Sequence, residues 1–120
     1  MALNIIGGSV SPSTALAFNA QTGTTYTFVL TDANNTLVTA SNASAQTYTI
    51  PLNSSVAYPI GAQINLIQIG AGQVTVVGAS GVTVASNGAT STAPKLRVQY
   101  SSASAIKVNT DSWYVIGDIA

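Results

Sequence analysis

The sequence predicts an all-β fold: an antiparallel β-sandwich or jelly-roll-like barrel of about nine or ten short strands. Apolar and polar residues alternate with period two in run after run, as half-buried strands require. The chain is rich in β-formers, with 12 Val, 10 Ile and 15 Thr, which fit a pleated surface. Clusters of Gly, Pro, Asn and Ser interrupt the runs at short intervals, where turns are expected.

Taken in order, residues 1–20 read as an N-terminal arm, or a first strand and linker, and residues 21–120 as the β-module. Within the arm, Leu3, Ile5 and Ile6 form an apolar patch ahead of Gly7-Gly8. Such a segment could add to the sheet edge of a neighbouring subunit or to a larger partner. The stretch Thr14 to Ala20 is too short and too close to glycines for a helix. In Thr25 to Thr31, Tyr26, Phe28 and Leu30 share a face and Thr occupies the other. Asp32-Ala33-Asn34-Asn35 reads as a turn in which Asp32 accepts backbone hydrogen bonds. Thr47-Tyr48-Thr49-Ile50 repeats the alternation until Pro51 stops it.

The run Ile64-Asn65-Leu66-Ile67-Gln68-Ile69 slips phase. Ile64 and Leu66 point one way, Ile67 and Ile69 the other, so a bulge or cover on both faces is needed. Gly70-Ala71-Gly72 follows as a turn. Val74 to Val76 and Val82 to Val84 flank Gly78-Ala79-Ser80-Gly81 and read as a hairpin. Ser86 to Pro94 is a break. A second hairpin is expected around Ser101 to Ala105, with Leu96, Val98 and Tyr100 facing Ile106 and Val108. That register sets Lys95, Arg97 and Lys107 on one outer surface, as edge protection or as a basic patch for an acidic partner. In the last strand, Trp113 and Val115 oppose Tyr114 and Ile116.

The inventory of side chains excludes most chemistry. The chain has no Cys, no His and no Glu, so triads, Cys-His mechanisms, zinc sites and disulfides are not expected. Paired-carboxylate chemistry would have to draw on Asp32, Asp111 and Asp118, and Asp32 belongs to a turn. A Ser-Lys dyad with Lys95 or Lys107 has no Ser marked out for it. The expectation is a non-enzyme without cofactors or metal. With three Lys and Arg residues against three Asp, few phosphates could be neutralised, so no nucleic-acid partner is expected. No apolar run approaches the ~20 residues of a membrane-spanning helix, and no signal peptide is visible. Asn34, Asn42 and Asn53 fit the N-x-Ser/Thr pattern and read as loop residues.

Only 5% of the residues are charged. A surface of Ser, Thr, Asn, Gln and Ala can be buried without stranding charge, and interface centres are depleted of charge. The two strands that are apolar on both sides need more cover than a chain of this length provides. Both points predict a homo-oligomer.

Several stretches are more specific. They are Gly23-Thr24-Thr25-Tyr26-Thr27, Asn53 to Gly61 with its Tyr58-Pro59-Ile60-Gly61 end, and Ile67 to Thr75 with Gly70-Ala71-Gly72-Gln73. Lys95 to Ser101 and Ser112-Trp113-Tyr114-Val115-Ile116-Gly117-Asp118 complete the ordered set. From about Gln21 onward the chain resembles a recurring structural module of tailed-bacteriophage virions, found in head fibres, capsid decoration or cement proteins, and tail fibres or spikes. The resemblance implies a β-structured, typically trimeric virion component without catalysis. The short chain, with no room for a shaft, favours a decoration protein on the outer surface of the phage head. Its partners would be the major capsid protein and two further copies of itself. Leu3, Ile5, Ile6, Lys95, Arg97 and Lys107 are the candidate contact residues. The alternative is a receptor-binding adhesin, with Tyr58 and Trp113 as a glycan platform.

Overall fold

The computed structural model describes residues 15–120, so Leu3, Ile5 and Ile6 lie outside the described residues. Among the described residues there are nine strands: β1 (Ala17–Gln21), β2 (Thr25–Thr27), β3 (Thr36–Ala40), β4 (Gln46–Ile50), β5 (Gln63–Gln68), β6 (Val74–Gly78), β7 (Thr83–Ala85), β8 (Ser102–Asn109) and β9 (Ser112–Gly117). One 3-10 turn, Leu30–Ala33, interrupts them, and the described residues include no α-helix. The all-β reading therefore holds. Strand β1 runs across residue 20, where the sequence reading divides arm from module.

The sheets are mixed, which corrects the antiparallel expectation. A six-stranded sheet has the order β1-β3-β5-β8-β9-β7, and a three-stranded sheet the order β2-β4-β6. From β1 to β6 the chain alternates between the sheets, and each strand lies parallel to the one laid down a round earlier. Alternation along a strand dictates which face is buried, but not the direction of its neighbour. Here the short turns carry the chain across to the opposite sheet instead of back beside the strand just completed.

The turns stack as the strands do. Asn42 Nδ2 donates to Thr22 O at 2.8 Å, and Gly72 N donates to Asn42 O at 2.8 Å. This explains the Gly-Ala-Gly-Gln turn. A Cβ on Gly72 would run into the Ser44 carbonyl oxygen, and one on Gly70 into the Asn42 backbone. Gln46 and Gln68, both buried, tie the corner, donating to Gly72 O at 2.9 Å and Gly70 O at 3.2 Å.

The second half of the chain departs further from expectation. Residues Gly78 to Gly81 do not close a hairpin: β6 stays in the small sheet, whereas β7 crosses to the large one and pairs parallel with β9. Residues 102–105 are not a turn but the first half of β8, which runs antiparallel to β5 and β9. The reversal lies earlier and uses Tyr100 in the left-handed region at φ 70°.

The core lies between the sheets. Tyr26, Tyr48 and Val76 align across β2, β4 and β6, and Val38, Leu66 and Ala103 across β3, β5 and β8. Tyr26, Phe28 and Tyr48 form an aromatic cluster with ring centroids 5.5–5.8 Å apart, a spacing that favours tilted and edge contacts. Leu96, fully buried, bridges to Ile119 and donates its N–H to Val74 O, packing the segment before β8 against the small sheet.

Candidate interaction face

In the large sheet Val38, Ile64, Leu66, Trp113 and Val115 point inward. Their neighbours must therefore point out. The pairing register places Phe18, Leu37, Asn65, Ser104 and Ile116 in one row across five strands of the outer face. A parallel row holds Gln63, Ile106, Tyr114 and Ala85. Phe18 is 72% exposed, Tyr114 53% and Ile116 54%. The phase slip in β5 resolves here without a bulge: Ile64 and Leu66 are core, and Ile67 faces outward. No charged residue lies on these rows.

Some polar groups of the face are paired with one another. Ser104 Oγ donates to Asn65 Oδ1 at 2.6 Å, and Gln63 Nε2 donates to the same oxygen at 2.9 Å. Covering them strands no charge, which removes the largest penalty of burial. A groove of ≈ 410 Å³ runs alongside, lined by Ala85, Ser86, Asn87 and residues 114–117.

The exposed ion pair sits just past the end of β9, two residues beyond Ile116. Arg97 is bidentate to Asp118, at 2.7 and 3.0 Å, and Lys95 Nζ reaches Thr75 Oγ1 at 3.0 Å. The Arg97 hydrogen bond, helped by one from Ser101, holds the Asp118 carboxyl below the usual carboxylate range. Lys107 does not join Lys95 and Arg97, contrary to the expected shared surface. It is 2% exposed and points inward, donating to Asn53 Oδ1 and Tyr58 O, each at 2.7 Å. The reason is the inverted register of β8: Ala103, Ala105 and Lys107 face the core, and Ile106 and Val108 face out.

The expected glycan platform is also corrected. Tyr58 and Trp113 are 3% and 2% exposed and pack edge-to-face with centroids 5.2 Å apart. Tyr58 OH donates to Val29 O at 2.6 Å. Neither ring offers a face to a sugar.

Sequence reasoning missed one buried cluster. Asp32 Oδ2 accepts from Tyr26 OH at 2.6 Å and from Val29 N at 2.9 Å, and its Oδ1 accepts from Asn19 Nδ2 at 2.8 Å. The turn role expected for Asp32 is met, but the links to Asn19 and Tyr26 depend on the stacking of strands. Burial pushes the Tyr48 phenol up to about 12, with Asp32 adding to the rise. Burial first, and then Asp32, raise Tyr26 and Tyr58 further.

An alkaline limit follows. A phenol raised in the fold above its unfolded value of about 10 stabilises fully below pH 10 and progressively less above it. Stability should fall from about pH 10 upward and continue falling through about 12, the value for Tyr48. Circular dichroism and phenolate absorbance, followed together, should change together for Tyr26, Tyr48 and Tyr58. Ionisation of these three in a still-folded protein would contradict their burial.

No protein-family model matches the chain, and no curated protein matches it.

Proposed function

We propose that this protein is a capsid decoration, or cement, protein of a tailed bacteriophage, working as a homotrimer of β-sandwich subunits on the outer surface of the assembled head. The observation that carries the reading is the charge-free, partly apolar outer face of the large sheet. Exposed apolar surface of that extent on a soluble domain is ordinarily covered by a partner, and a second and third copy of the same chain supply matching uncharged surface. The resemblance of residues 21–120 to phage virion modules supports the location, and the buried positions of Tyr58 and Trp113 weigh against the adhesin alternative.

The mechanism is mechanical. A trimer seated where major capsid protein subunits meet makes contacts available only on the assembled shell, and so stabilises that state by mass action. Three linked copies add avidity. Leu3, Ile5 and Ile6 are the proposed capsid arm, and exposed Lys95 adds a charge at the opposite side from the trimer face.

The test is co-sedimentation of the purified protein with phage heads that lack it. Saturable binding by a species of three chain masses, followed by greater heat resistance of the heads, is the expected result. A trimer that ignores heads, or a monomer, rejects the proposal.

A further inference from the structure

Lys107 is a buried cation without a counter-ion. Both groups that accept from its Nζ, Asn53 Oδ1 and Tyr58 O, are neutral. Among the described residues the ion pair that forms is Arg97–Asp118. Trp113 stands opposite Lys107 on β9 and packs against Tyr58, so the lysine lies beside an aromatic pair. Burying an ammonium without a counter-ion costs free energy that neutral acceptors offset only in part.

The chemistry that would remove it is at hand. Asn53 Oδ1 lies 2.7 Å from Nζ, so the amide carbon Cγ sits within about 3.5 Å, the separation of a near-attack pair. A rotation of the Asn53 amide about its terminal torsion leaves Cγ in place and turns the open face of the carbonyl toward the amine. A carboxylate is adjacent: Asp111 Oδ1 accepts the backbone N–H of Asn53 at 2.8 Å. Asp111 follows β8 directly, in the turn to β9, on the same segment as Lys107.

We propose that Lys107 and Asn53 join in an intramolecular isopeptide bond, with Asp111 carrying the protons. Asp111 is held beside Asn53 and makes no ion pair with Nζ, so it takes one proton from the ammonium through a bridging water. The free amine attacks Asn53 Cγ, forming the new C–N bond and a tetrahedral oxyanion. Through Asp111, the added nitrogen passes a second proton to Nδ2, the C–Nδ2 bond breaks, and ammonia leaves. The carboxylic proton on Asp111 then goes to the ammonia, which departs as ammonium, and Asp111 ends as a carboxylate. One of the three ammonium protons stays on the new amide. No oxidant or reductant is needed, which suits a chain without Cys. The product staples the loop between β4 and β5 to β8 and leaves a neutral amide in place of a buried charge. This inference stands apart from the capsid proposal.

Intact-mass spectrometry of the folded, full-length protein tests it. The expected result is a mass lower than that of the sequence by about 17 Da, one ammonia, as loss of the amide nitrogen to an amine nucleophile requires. Protease mapping should recover residue 53 and residue 107 in one branched peptide that survives mild alkali. Asp111→Asn, which keeps both reacting side chains, should fold by circular dichroism and retain the full sequence mass. Folded wild-type protein that keeps the full mass after prolonged warm incubation would overturn the proposal. So would a loss of ammonia that maps to Asn87-Gly88 and reverses in mild alkali, the signature of a ring imide at that pair. A cross-link that still forms in Asp111→Asn would overturn the role given to Asp111.

Discussion

Asp32→Ala is expected to lower the stability of the fold by about 3 to 5 kcal/mol. Asp32 is 1% exposed. Its carboxylate accepts from the Tyr26 hydroxyl, the Asn19 amide and the Val29 N–H. Alanine strands the Tyr26 hydroxyl and the Val29 N–H, while the Asn19 amide keeps only the Tyr26 oxygen as acceptor. Hydrogen bonds to a charged acceptor are worth about 1.5–3 kcal/mol each, and donors left buried and unpaired add their own desolvation cost. Against the total stability of a domain, about 5–15 kcal/mol, this is a large share. The Val29 contact also secures the 3-10 turn Leu30–Ala33, so the entry into β3 should loosen as well. Asp32→Asn keeps the shape but replaces one acceptor oxygen with an amide donor facing donors, and should fall between wild type and Asp32→Ala. Urea unfolding of the three proteins checks this. An unchanged midpoint in Asp32→Ala, at unchanged slope, would mean the cluster contributes nothing net.

The sequence made the strands legible where large residues face the core. Tyr48 and Ile50 alternate with Thr47 and Thr49, and the expected face is the buried one; Trp113 and Val115 oppose Tyr114 and Ile116, an alternation that left the inner face open until the fold put Trp113 and Val115 inside. Strand β8 reverses that sign. Its inward positions oppose Ile64 and Leu66 across the pairing with β5, where bulky neighbours leave room only for Ala103 and Ala105. The larger Ile106 and Val108 are turned out. A reading by hydrophobicity alone therefore placed a turn at Ser101 to Ala105 and exposed Lys107. The long aliphatic stem of lysine tolerates burial when its head finds acceptors, and those acceptors come from a loop distant in sequence.

Strand direction was not legible for a related reason. Period two fixes the face, while partner and direction depend on how turns stack, as Asn42 does on Thr22 and Gly72 on Asn42. Tyr58 shows the same limit on a smaller scale. Beside Pro59 it reads as a loop residue, and it does lie in a loop. What the local sequence does not carry is that the loop folds over Trp113 and seals the ring. The candidate face, by contrast, was half visible: the double-sided apolar character of β5 and β9 already required a partner.

Tyr114→Asp combined with Ile116→Asp should weaken self-association by at least about 100-fold and return the protein to one chain mass. Both side chains are more than half exposed in the single chain, so the substitutions remove little from the core and the fold should be retained. In the proposed trimer the same positions would be covered. Each copy would then bring two carboxylates into a region with no cation on the facing rows to receive them. Like charges brought together across an interface cost several kcal/mol, and a factor of 100 needs only about 2.7 kcal/mol. Lys95→Ala, at the opposite side of the molecule, serves as the control and should keep the wild-type mass. Sedimentation equilibrium reads all three proteins, with circular dichroism confirming that each is folded. A folded double variant that keeps the wild-type mass would remove the large sheet from the interface. It would also move the search to the other exposed apolar residues, among them Val29, Leu30, Val98 and Tyr100.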